Sequence, residues 1–201
     1  DDDRFCHEGN QLQRVNTSDS YTAANVEFVK RVDDFSVYTS QNYAGFNGNG
    51  PSAFVRTTKS GDTYYYGAFS SGDTSALKAF SDQDTVKVWA LKRIVDVVGN
   101  SIEFDYERND SVGEHYLKTI TYGGNENVGT DHFNTITIHY IEGVHKRFSF
   151  GAGSRGYSGK IVDAIEITTA QNEPYRYYDL NYEESSEIDI YNYLSSIKEC
   201  L

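Results

Sequence analysis

The sequence contains no methionine, only two prolines and only two cysteines among its 201 residues. Because there is no initiator methionine, we expect the chain to be a segment of a longer polypeptide. No apolar run approaches the roughly 20 residues that a membrane-spanning helix requires, and the start does not resemble a signal peptide. Two cysteines fall short of the about four ligands of a structural zinc site. We therefore expect neither membrane insertion by this segment nor bound zinc.

Charge and composition also limit the expected partners and the fold class of the protein. Acidic residues number 30 against 18 basic ones, for a formal net charge of −12. A surface of this sign repels phosphate backbones and anionic lipids, so nucleic acid is not an expected partner. The chain also carries 17 Tyr and 11 Phe, whereas disordered chains are poor in aromatic residues. Aromatic and β-branched residues favour β-strands.

The two cysteines, Cys6 and Cys200, lie near opposite ends of the chain. A disulfide between them would stabilise the fold by about 4–5 kcal/mol on the chain-entropy model. Two buried thiols are the alternative, and the sequence leaves both open. Secretion would favour the disulfide.

Short strand-like runs alternate with turns rich in glycine and asparagine. Gly61 and Gly99 each lie in such a turn, because glycine tolerates positive φ and a neighbouring Asn or Asp can adopt it too. Only residues 75–80 have helical character. The runs predict strands over 26–32, 53–58, 63–66, 86–94, 101–106, 135–140, 160–168 and 175–182.

A loose repeat occupies the second half of the chain. Each unit has a strand like Leu-x-x-Ile, a turn of variable length and a strand that ends apolar-x-Tyr. The units are 93–106, 117–140 and 161–182, and 194–197 repeats the first strand. An isolated hairpin is barely stable in water, so the units must pair with one another. We therefore predict an all-β fold over residues 1–201, a single segment that forms a hairpin-rich, curved antiparallel sheet.

No catalytic constellation can be assembled from the sequence. The five histidines lack the H-E-x-x-H spacing of a zinc protease, and there is no G-x-S-x-G elbow. The acidic clusters at 1–3 and 183–187 lack the alternating pattern of a calcium loop and are explained as solvated charge. We expect no enzyme activity and no catalytic, cofactor-binding or metal-binding residue.

Tyrosine clusters leave a second function open. They are Tyr64–Tyr66, Tyr175, Tyr177–Tyr178, Tyr191 and Tyr193. Because sugars stack on aromatic rings, a Tyr-rich face would suit a stand-alone extracellular module that recognises carbohydrate or protein. Tyrosine also serves in cross-strand packing with a solvated hydroxyl, which we favour. Trp89, the only tryptophan, lies in an apolar run and is expected in the core.

An ordered series of motifs runs through the chain and resembles a known group of proteins. The series comprises Phe5-Cys6 with Gly9 and Leu12, the hairpin at 60–67, residues 88–106, 116–122 and 178–182, and the closing run 194–200. It resembles the segment that follows the N-terminal region in SpvB-like virulence proteins and in the TcB component of insecticidal toxin complexes, relatives of the Rhs/YD-repeat proteins. The likeness covers essentially the whole chain, and residues 88–106 are its most specific part.

The resemblance implies a structural role. In such secreted toxins, YD-type hairpins spiral into a hollow β-shell around a C-terminal effector. The implied partners are therefore an enclosed effector domain and other segments or subunits of a toxin complex. Asp96 and Asn100 would shape one bend, and Phe104 and Tyr106 would pack against neighbouring strands. Val95, instead of tyrosine, precedes Asp96, and no self-cleaving aspartyl motif or Glu-x-Glu signature of an ADP-ribosyltransferase is present.

The turn at Gly99 provides the first test. We expect Gly99→Val to lower the free energy of unfolding more than His139→Ala does, because a positive φ at the turn penalises a β-branched residue. Chemical denaturation of both variants measures the difference. Equal, small effects would contradict the hairpin assignment.

Overall fold

The computed structural model describes residues 5–78, 85–151, 154–170, 173–184 and 191–200. Within these ranges it contains fifteen β-strands and no helix. The strands are β1 Cys6–His7, β2 Asn10–Arg14, β3 Glu27–Lys30, β4 Val37–Gln41, β5 Ala53–Thr57, β6 Thr63–Gly67, β7 Ala76–Lys78, β8 Val86–Trp89, β9 Leu91–Val95, β10 Asn100–Asn109, β11 Glu114–Asn125, β12 Asn134–Gly151, β13 Ser154–Thr168, β14 Pro174–Glu184 and β15 Asn192–Cys200.

Thirteen strands form one antiparallel sheet in which neighbours along the chain are neighbours in space. The order departs from the sequence at one place, where β6 pairs with β9 because β7 and β8 form a separate two-stranded ribbon. The prediction of an all-β, hairpin-rich antiparallel sheet is confirmed. The helical character assigned to 75–80 is wrong for Ala76–Lys78, which is a strand, while residues 79 and 80 lie outside the described ranges.

One predicted strand, 86–94, is divided in two at Ala90. The amide of Ala90 donates to the carbonyl of Ser75 beside the ribbon, at 2.8 Å, whereas its carbonyl accepts from the amide of Gly67 in the main sheet, at 2.9 Å. The chain therefore leaves the ribbon and enters the sheet within one residue. The run from Val86 to Ile94 contains no turn residue that would indicate this change of partner.

Polar contacts from the main sheet fix the ribbon. Lys92 forms an ion pair with Asp73, and the Arg108 guanidinium donates to the carbonyl of Asp73 at 3.0 Å. His115 Nε2 lies 2.8 Å from the carbonyl of Thr74. Hydrogen bonds from a charged donor are stronger than those from a neutral one, so the contacts of Lys92 and Arg108 in particular hold the segment that leads into β7.

The hydrophobic core lies in the first half of the chain. Leu12, Val26, Phe28, Tyr38 and Phe54 form its main cluster. Among the buried apolar side chains of the described residues, only Ala164 lies beyond residue 100. The first six strands are therefore backed by a core, whereas the later strands form a layer with little apolar burial.

Trp89 joins the core to the ribbon. Its ring packs against the main cluster and against a second one formed by Ala68, Ala76 and Val86. Its indole N–H donates to the carbonyl of Pro51 at 3.0 Å. The half-buried Trp89 therefore lies at the core, as its apolar run indicates, and also bonds to the loop before β5.

Close packing at Trp89 requires glycine at position 67. Gly67 has a φ of +84°, and an added Cβ would lie 2.5 Å from the Ser52 carbonyl oxygen and 2.6 Å from Trp89 Cδ1. Gly45 has nearly the same φ, +83°, with no atom within 4 Å of an added Cβ. We expect Gly67→Ala to lower the free energy of unfolding by about 2–4 kcal/mol and Gly45→Ala by about 1 kcal/mol. Urea denaturation of the two variants isolates the steric contribution, and equal losses would show that Trp89 is not tightly packed there.

Candidate functional site

The turn between β9 and β10 is built by Asp96. Its carboxylate accepts from the amides of Val98 and Asn100, at 2.9 and 2.8 Å, and from the Asn100 side chain at 2.8 Å. These bonds hold the pKa of Asp96 below its usual value, the Asn100 side chain contributing most. Gly99 occupies the position of positive φ, +89°. Asp96, Gly99 and Asn100 therefore lie together at the bend.

The same turn contacts the next loop of the sheet. The Asn125 side chain donates to the Val98 carbonyl at 3.1 Å and to Asn100 Oδ1 at 2.9 Å. The amide of Glu126 donates to the Gly99 carbonyl at 2.8 Å. Successive turns on this side of the sheet are thus hydrogen-bonded to each other, a connection that the spacing of the turns did not indicate.

Phe104 and Tyr106 lie on β10 and are half-buried. Phe104 pairs with Ile120 on β11, and the Tyr106 ring stacks on His115 with 4.7 Å between centroids. Both residues therefore pack against the neighbouring strand.

The two cysteines lie at opposite edges of the sheet. Cys6 belongs to β1, the first strand, and Cys200 to β15, the last, and both side chains are exposed. No disulfide forms between Cys6 and Cys200 in the structure. The sheet order separates them by eleven intervening strands. Because both side chains are exposed, the alternative of two buried thiols is wrong.

A tyrosine hydroxyl closes each repeat unit. Tyr106, Tyr140 and Tyr182 each donate at 2.7 Å to a main-chain carbonyl, that of Leu91, Leu117 and Val162 respectively. We call this bond the tyrosine clasp. It joins the second strand of a hairpin to the first strand of the same hairpin.

The same irregularity of strand register accompanies each tyrosine clasp. A register shift lies immediately before each of the three tyrosines. On the next strand, Tyr106 faces Leu117, Tyr140 faces Val162 and Tyr182 faces Leu194. Each clasp tyrosine therefore bonds back within its own unit and pairs forward with an aliphatic residue on the first strand of the next one. Partial burial raises the pKa of all three, that of Tyr106 to about 12, so the hydroxyls stay protonated and can donate at neutral pH.

The last strands form an open layer. In β15 every residue after Asn192 is exposed, including the apolar Leu194 at 51 % and Ile197 at 58 %. Its inner edge pairs with β14, and its outer edge has no strand partner among the described residues. Phe148 and Phe150 are exposed on the long hairpin of β12 and β13. This part of the molecule presents apolar side chains and unpaired main chain to its surroundings.

Tyrosines do not gather into one platform. Tyr177 lies opposite Cys200 at one end of β15, and Tyr193 lies opposite Glu183 at the other. Seven residues of strand separate these ends, about 23 Å at the usual rise. In the first half, Tyr64 and Tyr65 are covered by Arg56 and Arg93. One continuous sugar-stacking face is therefore not formed by these residues.

A charged cluster ties β3 to its neighbours. The buried Lys30 ammonium lies 2.7 Å from Glu8 and 2.8 Å from Asp34, and Arg56 lies 3.2 Å from the same Asp34 carboxylate. Burial alone would raise the pKa of Asp34, but hydrogen bonds from Lys30 and Ser36 lower it to about 2. Opposite charges satisfy one another here, as in a structural ion-pair network.

The described part of the chain gathers no group of three or more His, Cys, Asp or Glu side chains that could hold a metal ion. Within the same ranges no helix is long and apolar enough to cross a membrane.

Sequence comparison finds no relative: no family model matches the chain, and neither does any curated protein. Solved structures do match. The N-terminal domain of the effector protein SpvB from Salmonella typhimurium strain LT2 superposes with a TM-score of 0.73 at 11 % identity, over 96 % of this chain and 79 % of that one.

Crystal structures of TcdB2-TccC3 match as well. The TM-score is 0.70 at 13 % identity, and 0.73 at 13 % identity for the form without its hypervariable C-terminal region. Each match covers 96 % of this chain but 12 % of the other, so this chain spans a small part of TcdB2-TccC3. At 11–13 % identity the likeness concerns the fold alone. The chain therefore has the fold of the SpvB N-terminal domain and of a part of TcdB2-TccC3, which confirms the resemblance to these toxin proteins at the level of the fold.

Proposed function

We propose that this chain is a non-catalytic structural segment of a secreted, toxin-type protein. In this role it contributes β-hairpins to a shell that encloses or presents an effector domain, next to other segments or subunits of a toxin complex. The observation that carries the proposal is the clasped hairpin unit, which occurs three times and ends on an open strand. The matches to an effector protein and to TcdB2-TccC3 support the toxin context.

The tyrosine clasp allows further hairpins to be added to the sheet in the same register. Each unit is closed by the bond from tyrosine to carbonyl and offers its second strand to the next unit in a set register. Leu194 on β15 stands where Leu117 and Val162 stand in the earlier units. The outer edge of β15 is therefore suited to receive a further hairpin strand.

Exposure of the late strands supports the same role. A strand edge with exposed apolar residues is a template for pairing with another strand, and isolated proteins usually avoid it. On β15 the exposed apolar residues are Leu194 and Ile197, and the charges that commonly protect an edge are confined to Lys198 and Glu199 near the end of the strand. A barrier made by continuous main-chain pairing would cover this edge and would exclude water and proteases from an enclosed effector.

The open edge predicts self-association of the isolated chain. We expect sedimentation velocity to show assembly that increases with concentration, because unpaired edges of two copies can pair. Ile197→Lys places a charge on the edge and should raise the concentration needed for assembly by about tenfold or more.

Val128→Lys is the matched control, because Val128 is exposed at 76 % but lies in the loop between β11 and β12. It should leave the assembly unchanged. A chain that stays monomeric at every concentration, or that responds equally to both substitutions, would count against the shell role. Saturable glycan binding by such a monomer would favour a stand-alone binding module instead.

The tyrosine clasp can be tested by removing single oxygen atoms. Tyr106→Phe, Tyr140→Phe and Tyr182→Phe should each lower the free energy of unfolding by about 1 kcal/mol, since each leaves one carbonyl without its donor. Tyr193→Phe is the control, because that exposed hydroxyl has no hydrogen-bond partner among the described residues. Urea denaturation at neutral pH measures all four, and losses no larger than that of the control would refute the clasp.

Alkaline pH offers an independent test of the same bond. The pKa of Tyr106 is raised by burial from 10.0 to about 12. Its contribution to stability is therefore complete below pH 10 and is lost as the pH rises towards 12. The wild-type chain should lose stability over this interval, and Tyr106→Phe should lose less. Identical pH profiles would show that the Tyr106 hydroxyl ionises as readily in the folded chain as in the unfolded one.

A further inference from the structure

A cavity of about 740 Å³ lies in the first half of the molecule, away from the clasped units. It is bounded by the start of β1, the loop before β5 and strand β8. Its size is within the range of about 300–1,000 Å³ that is typical of sites for small molecules. The shell role proposed above makes no use of it.

Six of the residues that line the cavity have aromatic side chains. Phe5, Phe54 and Trp89 line it and meet one another edge to face, with centroids 5.0–5.3 Å apart and interplanar angles of 71–83°. Tyr38 and Tyr66 line it as well. Edge-to-face packing is a favourable arrangement of rings, and an entering ring can extend it. The wall therefore suits an aromatic molecule.

One polar pair lies among these rings. His7 packs edge to face against Tyr66, and its Nδ1 lies 3.0 Å from the Tyr38 hydroxyl. Its other ring nitrogen, Nε2, has no hydrogen-bond partner among the residues that the structure describes. Burial lowers the pKa of His7, so the imidazole is neutral at pH 7. In a neutral imidazole one nitrogen donates and the other accepts.

We propose that this cavity binds a small aromatic molecule that carries a hydroxyl group, with the ring among Phe5, Phe54 and Trp89 and the hydroxyl on His7. A hydroxyl group both donates and accepts, so it can pair with Nε2 in either tautomer. Tyr38 holds the imidazole by its opposite nitrogen and thereby orients Nε2. The Tyr38 hydroxyl keeps its proton at neutral pH, because burial raises its pKa to about 12.

Trp89 provides a direct readout of occupancy. It is the only tryptophan of the chain and lines the cavity, so a bound ring changes its fluorescence. The probe is para-benzylphenol, titrated into the full chain and excited at the red edge of tryptophan absorption, with calorimetry as a second measurement. Saturable binding at one site is the expected result, and no saturable binding by either method overturns the proposal.

Two further compounds test the chemistry of recognition. Diphenylmethane keeps both rings and lacks the hydroxyl group, while para-(cyclohexylmethyl)cyclohexanol keeps a hydroxyl group and lacks aromatic rings. Each should bind about tenfold or more weakly than para-benzylphenol. Equal affinity for all three compounds would indicate general hydrophobic adsorption and would overturn the proposal.

Variants locate the site. Thr22 lines the cavity and is exposed, so it lies where the cavity meets solvent. Thr22→Tyr should fill this opening and weaken binding about tenfold or more, whereas Thr17→Tyr, at an exposed turn residue outside the lining, should change affinity less than about twofold. An equal response to the two substitutions would place the bound probe elsewhere and would overturn the proposal.

His7→Phe tests the polar anchor while preserving a ring against Tyr66. This variant should bind para-benzylphenol and diphenylmethane with equal affinity, because the partner of the hydroxyl group is gone. The thermal unfolding midpoint of each variant shows that it remains folded. A variant that retains the full preference for para-benzylphenol would overturn the assignment of His7.

Discussion

Pairing of each strand with its neighbours is the constraint on which the second half of this molecule depends. Ala164 is the one buried apolar side chain described beyond residue 100, and the other apolar side chains of these strands are half-buried or exposed. Because apolar burial there is only partial, order depends more on main-chain hydrogen bonds, and the tyrosine clasp adds one side-chain bond per hairpin. Such a layer is stable only when each strand has a partner, because a lone hairpin is marginal in water.

The first half of the chain is stabilised by side-chain packing as well as by strand pairing. There the rings around Phe28 form a core, and the charged cluster around Lys30 joins β3 to Glu8 and Asp34. Ala90 lies at the junction of the ribbon and the main sheet, since its amide bonds to one and its carbonyl to the other. With Trp89 packed on both sides of this junction, the small ribbon and the core cannot separate without exposing the indole ring.

Local chemistry explains which features the sequence could predict. Turn residues such as Gly61 and Gly99 and the alternation in 135–140 depend on neighbours along the chain, so the hairpins and the antiparallel sheet were predictable. The division at Ala90 was not, because it depends on which distant carbonyl each group meets. The repeated apolar-x-Tyr ending was visible, but its partner carbonyl is 15–23 residues away and only the fold identifies it. The cavity is lined by six separate stretches of the chain and leaves no signal in any one of them.

The contacts that join two units are separate from the residues inside each unit, and this has an evolutionary consequence. Clasp tyrosine and clasp carbonyl are 15, 23 and 20 residues apart in the three units, yet bond length and forward pairing stay the same. Insertions and deletions inside a unit, such as in the loop between β11 and β12, are therefore absorbed away from the junctions. A lineage can lengthen, shorten or duplicate whole units while the joints between units keep one chemistry.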